Sequence, residues 1–224
     1  MKSILKMQNV GYYYQTKNNR VDILQDVNFS FEPGKLYTIV GPSGSGKTTA
    51  LTLLGGLEKP QHGEVLYKEK NLKEIGYDNY RNQKIGIVFQ AYNLLNYLTP
   101  LQNVIAAMEI TKNEILNKKE RAEEFLEKIG IDKHMMNRNV SQLSGGEQQR
   151  VAIARAISTQ AEILLADEPT GNLDSDTAKE IIGIFKMLAH QEQKCVIVVT
   201  HSEDFAKSSD IIIRLKDRKF IGED

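Results

Sequence analysis

The sequence lacks a second cysteine, a net charge and any long run of apolar residues. Its 224 residues contain one cysteine, Cys195, so no disulfide can form within the chain. A lone cysteine in the apolar run 195–199 is typical of a small buried side chain. We therefore expect the chain to function in a reducing cytoplasm.

The charges of the chain balance, since lysine plus arginine and aspartate plus glutamate both number 29. This balance does not indicate nucleic acid or anionic lipid as a partner. The apolar runs are far shorter than the ~20 residues that a membrane-spanning helix needs. The first residues have no long apolar core, so no signal peptide is expected. The sequence predicts a chain that is soluble by itself and reaches a membrane only through a partner.

Strands and helices alternate along the chain. Partial alternation and short apolar runs predict strands over residues 4–14, 23–31, 36–40, 85–89, 163–166, 195–199 and 211–215. Helices are predicted over 48–57 and about 175–190, and helical spacing dominates residues 91–158. This order predicts a single α/β domain over 1–224 with a mostly parallel sheet. Residues 1–90 and 159–224 would form its core, and 91–158 an inserted helical lobe.

A glycine-rich motif lies between a predicted strand and a predicted helix, and it reads Gly41, Pro42, Ser43, Gly44, Ser45, Gly46, Lys47 and Thr48. Glycines let backbone N–H groups turn toward phosphate oxygens, and the next helix directs its free N–H groups at the same anion. The Lys47 ammonium can neutralise the outer phosphates, and the Thr48 hydroxyl can ligate Mg²⁺. The motif predicts a nucleotide site, which kinases, GTPases and helicases would share.

Two adjacent carboxylates, Asp167 and Glu168, follow the apolar run 163–166. Asp167 can hold Mg²⁺ directly or through water. If the chain bends at the end of the strand, Glu168 can face the terminal phosphate. A carboxylate placed there can accept a proton from the attacking water.

A second glycine-containing helix start lies at residues 143–150. Glu147 follows Ser144 by three positions, as in a capping box, and Gly145 and Gly146 leave backbone N–H groups accessible. From these residues alone, the segment is either an ordinary capped helix or a second anion site.

Taken together and in this order, these motifs resemble those of ABC-type ATPases along essentially the whole chain. Residues 41–48 resemble the Walker A loop, and residues 143–148 the signature, with Glu147 where many members have glutamine. The remaining matches are the Walker B aspartate Asp167, the catalytic glutamate Glu168, the Q-loop glutamine Gln90, the D-loop Asp174 and the switch histidine His201.

The resemblance implies the ABC ATPase fold: a P-loop NTPase core, an N-terminal antiparallel β subdomain and an inserted α-helical subdomain. It also implies an ATP-dependent homodimer. ATP would lie between the Walker A loop of one copy and the signature residues Ser144, Gly145, Gly146 and Glu147 of the other. Glu168, His201 and Gln90 would serve hydrolysis, and Thr48, Gln90 and Asp167 would ligate Mg²⁺.

Thr49 and an aromatic ring stacked on adenine would complete the ATP site that the resemblance implies. Tyr12, Tyr13 and Tyr14 all precede the first long turn, and their spacing to Gly41 favours Tyr14. Alternation places Tyr12 and Tyr14 on one face of a strand and Tyr13 on the other. The alternative is that these rings pack against the sheet.

Short runs at 55–57 and 169–174 are similar to one branch of the family, which contains macrolide and peptide exporters, lipoprotein-release ATPases and the cell-division ABC ATPase. The resemblance implies a subunit at the cytoplasmic face of the cell membrane that powers a separate permease. The outcome would be export of peptides, drugs or lipophilic compounds, or mechanical work on the permease.

The permease is expected to dock near residues 90–104, from Gln90 to Val104, where leucine and tyrosine are frequent. The alternative is that these side chains fill the core of the helical lobe. The cargo would then be determined by the permease, outside this sequence.

Other classes fit the motifs less well. ABC ATPases that act on DNA carry a long coiled coil between the motifs, and residues 49–143 are too few for one. Translation-type members carry two ATPase domains, and a small-molecule kinase would lack the signature and the switch histidine. The sequence predicts a transporter ATPase, with no nucleic acid as a partner.

Overall fold

The computed structural model describes residues 2–17, 19–111 and 114–223, and within them two β-sheets are surrounded by helices. The strands are β1 Leu5–Gln15, β2 Arg20–Phe31, β3 Leu36–Val40, β4 His62–Tyr67, β5 Lys70–Asn71, β6 Ile85–Val88, β7 Ile163–Asp167, β8 Cys195–Val199, β9 Ile211–Lys216 and β10 Lys219–Glu223.

The helices occupy the connections between these strands. They are α1 Lys47–Leu54, α2 Leu72–Ile75, α3 Tyr77–Gln83, α4 Pro100–Ile110, α5 Lys118–Lys128, α6 Lys133–Met136, α7 Gly145–Ile157, α8 Ser175–His190 and α9 Glu203–Lys207, with a 3-10 turn at Val140–Gln142. None of the described helices is both long and apolar enough to cross a bilayer.

The central sheet has the strand order β10-β9-β3-β8-β7-β6, and all its neighbouring pairs except β10–β9 are parallel. Parallel strands covered on both faces read as continuous apolar runs, and all five residues of β8 are buried. Leu165 and Ile197 pack on one face with α1, whereas Leu164 and Val196 pack on the other with α8. The predicted α/β fold is confirmed.

The N-terminal sheet is antiparallel, with the order β2-β1-β4-β5. The register between β1 and β2 shifts at several points, including the step from Tyr12 to Tyr13. Residues of β1 such as Leu5 and Val10 belong to the same apolar core as α1 and the central sheet. The antiparallel sheet is therefore continuous with the core that supports the phosphate loop.

Helices α4–α7 follow one another between β6 and β7 and have an apolar core of their own. That core contains Leu101, Val104, Leu126 and Val151 among its buried residues. Helix α7 contributes to both sides, because Val151 packs into this helical core and Ile153 into the sheet core. α7 thus joins the helical insertion to the sheet.

Gly86 permits a close approach between strand β6 and helix α7. A Cβ atom at this position would lie 2.3 Å from the backbone oxygen of Ala156, far inside van der Waals contact. The strand leads toward Gln90, and the helix begins with residues 145–148. This contact therefore sets where these two segments lie relative to each other.

The predicted element boundaries hold best where an apolar run is bounded by turn residues. β3, β8 and α8 have the bounds expected from the sequence. The helix predicted over 48–57 is wrong at its end: α1 stops at Leu54, because Gly55 is its C-cap and Gly56 adopts a left-handed φ of 64°. The strand predicted to reach residue 89 ends at Val88, and β4 and β10 were not predicted.

Replacing Gly86 with alanine is expected to destabilise the fold by about 1–3 kcal/mol, because the new methyl group has no room beside Ala156. The free energy of unfolding would be measured by urea titration. Gly183→Ala in α8 is the matched control, since a Cβ there meets nothing within 4 Å and should stabilise the helix by about 0.5–1 kcal/mol. Equal effects of the two variants would contradict the packing argument.

Candidate active site

The phosphate-loop motif forms a tight turn between β3 and α1. Gly44 and Gly46 have φ angles of 74° and 104°, in the left-handed region that favours glycine. A Cβ on Gly46 would lie 2.5 Å from the side chain of Ile23, so that position also has no space for a side chain. The loop therefore takes a path that the glycines make possible.

The start of α1 keeps its donor groups available. Its N-cap is Gly46, which makes no side-chain capping hydrogen bond. The Lys47 Nζ instead donates to the backbone oxygens of Gly41 (2.8 Å) and Pro42 (3.0 Å), across the mouth of the loop. The Ser45 hydroxyl is buried without a hydrogen-bond partner among the described residues. An ammonium and the N–H groups at a helix start are groups that can bind a phosphate.

Asp167 ends β7 beside the start of α1. Its Oδ1 lies 3.5 Å from the Thr48 hydroxyl. Burial raises the pKa of the Asp167 carboxyl, and the Glu168 carboxylate adds to the rise, while Thr48 and Lys47 act to lower it. A hydroxyl and a carboxylate, which are both hard oxygen donors, therefore lie side by side at the start of α1.

The bend expected after Asp167 is present. Glu168 has a φ of 45°, and its N–H donates to the backbone oxygen of Val199 in the neighbouring strand β8 (2.8 Å). The left-handed conformation turns the Glu168 side chain out of the strand alternation. It therefore extends toward the residues that follow β8.

Both oxygens of the Glu168 carboxylate are engaged. Oε2 accepts from the Thr200 hydroxyl (2.8 Å) and the His201 N–H (3.3 Å), and Oε1 lies 2.9 Å from His201 Nδ1. The His201 side chain is 75% exposed, whereas that of Glu168 is 16% exposed. The histidine thus covers the glutamate from the solvent side.

Thr200 is a member of this cluster that the sequence reasoning missed. It is buried, donates to Glu168 and accepts from the Ser202 N–H (3.0 Å). A polar residue that ends an apolar strand is the same signal that identified Asp167, and it could have identified Thr200.

Gln90 follows β6 and lies near the same cluster. A Cβ placed on Gly171 would be 3.3 Å from Gln90 Nε2 and 3.6 Å from the Glu168 Cβ. Three strands, β6, β7 and β8, therefore bring Gln90, Glu168 and His201 to one edge of the sheet, as parallel strands do at their carboxyl ends.

The capping box predicted at the start of α7 is confirmed. The Ser144 N–H donates to the Glu147 carboxylate (2.7 Å), and the Glu147 N–H donates to the Ser144 hydroxyl (3.4 Å). The glycines between them face other loops. A Cβ on Gly145 would lie 3.0 Å from the Tyr92 hydroxyl, and one on Gly146 only 2.3 Å from Thr177 Cγ2.

Asp174 caps α8 next to this helix start. Its carboxylate accepts from the N–H groups of Asp176 (3.1 Å) and Thr177 (3.0 Å) and from the Thr177 hydroxyl (2.6 Å). The hydrogen bond from the Thr177 side chain is the main reason why the pKa of Asp174 is lowered. Because Thr177 also abuts Gly146, the D-loop and the start of α7 are in direct contact.

The three tyrosines have different environments. Tyr12 is buried, Tyr14 is 51% exposed, and their rings meet edge to face at a centroid distance of 5.3 Å. The Tyr14 hydroxyl lies 3.4 Å from the Thr49 hydroxyl in α1. The Tyr13 ring is covered by the Arg20 guanidinium at 3.9 Å. Of the three, Tyr14 therefore presents an open ring beside the phosphate loop.

Comparison with known proteins matches residues 24–171 to the family model described as ABC transporter. The uncharacterised ABC transporter ATP-binding protein YclH of Bacillus subtilis is 54% identical, over 97% of this chain and 96% of YclH. The lipoprotein-releasing system ATP-binding protein LolD of Saccharophagus degradans is 41% identical, over 95% and 94% of the two chains. The macrolide export protein MacB of Aggregatibacter actinomycetemcomitans is 38% identical, over 99% of this chain and 34% of MacB.

The fold is similar to a solved ABC cassette, MJ0796 of Methanocaldococcus jannaschii. Its dimeric structure matches with a TM-score of 0.88 at 38% identity, over 98% of this chain and 97% of that one. A dimeric post-hydrolysis state of the same cassette, bound to ADP and phosphate, matches with a TM-score of 0.87 at 37% identity. These likenesses cover both the sheets and the helical insertion.

Replacing Lys47 with alanine is expected to weaken the affinity for ATP by at least about tenfold, because a charge-assisted contact to phosphate contributes about 1.5–3 kcal/mol. Affinity would be measured with a fluorescent ATP analogue. The exposed Lys119→Ala in α5 removes the same charge far along the chain and serves as the control. Unchanged affinity of the Lys47 variant would remove this residue from the phosphate site.

Proposed function

We propose that this chain, which belongs to the ABC transporter family and is an ATP-binding, ATP-hydrolysing subunit of the LolD and MacB type, drives a separate membrane permease as a head-to-tail homodimer. The observation that carries the proposal is that the two helix starts suited to an anion have different neighbours within the chain. The start of α1 lies with Lys47 and Asp167, whereas that of α7 lies against Tyr92 and Thr177. Each chain would supply one half of two nucleotide sites.

In the proposed dimer, ATP binds to the residues 41–49 and Tyr14 of one copy. Ser144, Gly145, Gly146 and Glu147 of the other copy cover its terminal phosphate. Ser144 is exposed and already fixed by its capping box, so its N-terminal turn is preorganised for an anion. Asp174, which caps the adjacent helix, would transmit changes between the two copies.

The proposed Mg²⁺ site consists of the Thr48 hydroxyl, the Asp167 carboxylate and the Gln90 amide oxygen. These are hard oxygen ligands of the kind that Mg²⁺ prefers, with phosphate oxygens and water completing the octahedron. Among the described residues no group of three or more acidic, histidine or cysteine side chains could hold a metal, which suits an ion bound mainly by its nucleotide. The ion would neutralise charge on the phosphates.

Glu168 is the proposed general base. Its side chain is only 16% exposed, and it lies at the strand edge that also holds Asp167 and Gln90. Within the described ranges, Oε1 accepts from the His201 ring alone, so movement of that ring to the terminal phosphate would open Oε1 to the attacking water. Gln90 would orient the attacking water.

The permease is proposed to dock near residues 90–104. The structure divides this segment: Leu101 and Val104 are buried in the helical core, whereas Leu95 and Tyr97 are 42% and 76% exposed. An exposed aromatic beside an exposed leucine suits a short partner helix. Docking there would place the partner close to Gln90 and would hold the ATPase at the cytoplasmic face of the membrane.

The proposed output is the export of peptides, drugs or lipophilic compounds, or mechanical work on the permease. LolD and MacB are named for lipoprotein release and macrolide export. The match covers 94% of that LolD but only 34% of that MacB, so this chain corresponds to one domain of the longer protein. The cargo would be selected by the permease.

We assign residues 1–90 and 159–224 to the nucleotide-binding core and 91–158 to the signature-bearing subdomain.

Glu168→Gln is expected to bind ATP and form a stable dimer while hydrolysing it about 10²–10⁴-fold more slowly, because the amide has the same shape but cannot accept a proton. Phosphate release measures hydrolysis, and size-exclusion chromatography with ATP measures dimerisation. Glu120→Gln, an exposed glutamate of α5, is the control. Rapid turnover by the Glu168 variant would rule out its role as the base.

Tyr14→Ala is expected to weaken ATP binding at least about fivefold, because stacking of a base on an aromatic ring contributes about 1–3 kcal/mol. Tyr13→Ala, whose ring is covered by Arg20, is the matched control. Tripolyphosphate, which has no base, should bind both variants as it binds the unaltered chain. The assignment fails if Tyr13→Ala has the larger effect on ATP.

A further inference from the structure

The turn after Gln90 has an unusual backbone. Tyr92 and Asn93 have consecutive positive φ angles of 57° and 51°. Asparagine tolerates this region, but a tyrosine is crowded there by its own Cβ, so such a pair persists only where surrounding contacts hold it. The backbone hydrogen bonds within the turn, such as that from the Tyr92 N–H to the Phe89 oxygen (3.1 Å), do not use the carbonyl oxygens of Tyr92 and Asn93.

Those two carbonyls are held by Arg155 of α7. One terminal nitrogen of its guanidinium donates to the Tyr92 oxygen (3.0 Å) and the other to the Asn93 oxygen. Burial lowers the pKa of Arg155, and in the described part of the chain it forms no ion pair with a carboxylate. The planar fork of arginine can bind two adjacent oxygens at once, which a lysine ammonium cannot do in the same fixed geometry.

The same turn also reaches the other end of α7. The Tyr92 hydroxyl lies 3.0 Å from the position of a Cβ on Gly145, the first residue of the helix. Arg155 is ten positions further along, which is about 15 Å at 1.5 Å per residue. Tyr92 thus contacts the start of α7 with its side chain and the later part of α7 through Arg155.

We propose that Arg155 is a positioning residue for ATP hydrolysis: by holding the Tyr92–Asn93 turn in its left-handed form, it fixes Gln90 relative to Gly145. Gln90 is two residues before Tyr92 and lies beside Gly171, near Glu168. The inference rests on the proposed function, because Gln90 would act on the nucleotide of its own chain and Gly145 on that of the partner. Arg155 would then keep Gln90 and Gly145 in a fixed position relative to each other.

The test compares Arg155→Lys, Asn93→Gly and the double variant, each as the full chain. Arg155→Lys keeps the charge but loses the fork. Its kcat is expected to fall about tenfold or more, since displacement of a catalytic group by ~1 Å can cost as much as 100-fold. Its affinity for ATP in the monomer and its thermal unfolding midpoint should change little, because the phosphate loop is held by other contacts.

Asparagine tolerates the left-handed conformation, but glycine adopts it with no steric cost, so with glycine at position 93 the turn depends less on its anchor. The fall in kcat caused by Arg155→Lys is therefore expected to be several-fold smaller in the Asn93→Gly background than in the unaltered chain. An equal fall in both backgrounds would show that Arg155 does not act through the turn. A fall in kcat matched by equal losses of ATP affinity and thermal stability would show only a structural role, and an unchanged kcat would also overturn the proposal.

Dimerisation separates this proposal from the function on which it rests. In the Glu168→Gln background, adding Arg155→Lys should raise the protein concentration needed for the ATP-dependent dimer, because Gly145 is less well placed. If Glu168→Gln alone forms no dimer with ATP, the proposed function fails. If it does, and Arg155→Lys changes neither dimerisation in this background nor kcat in the otherwise unaltered chain, only the role of Arg155 fails.

Discussion

The close approach of α7 to β6 at Gly86 is the constraint on which the geometry of the site depends. A residue with a side chain would push the Ala156 backbone away, and with it the whole helix that begins at Ser144. The same contact brings Arg155, the neighbour of Ala156, to the turn that follows β6. Packing of one helix on one strand therefore sets the relation between groups that would serve two different nucleotides.

The rest of the site follows from the way in which parallel strands end. β3, β7 and β8 are neighbours in the central sheet, and their carboxyl ends lead to the phosphate loop, to Asp167 and to Thr200. One backbone departure is needed to complete the cluster: Glu168 adopts a left-handed conformation, which places its carboxylate among donors from the end of β8. The strain of that residue is offset by the hydrogen bonds that it makes possible.

Much of this architecture could be predicted because the order of apolar and polar residues in a short segment reflects how that segment is buried. The apolar runs that became β3 and β8 and the caps of α7 and α8 carry their boundaries in their own residues. Arg155 shows where such reasoning ends, because its two acceptors, the oxygens of Asn93 and Tyr92, lie 62 and 63 positions earlier in the chain. A charged residue in the otherwise apolar stretch 151–157 indicates a buried partner, but periodicity cannot identify it. The partial exposure that divides Leu95 and Tyr97 from Leu101 and Val104 also emerges only from the packed helices.

The hydrogen bonds that surround Glu168 bear on when ATP hydrolysis could begin. Oε2 accepts from Thr200 and from the His201 N–H, whereas Oε1 is covered by the His201 ring. If Glu168 is the base, an attacking water would reach Oε1 more easily once that ring moves away. The contact between His201 and Oε1 would then act as a switch that separates ATP binding from ATP hydrolysis.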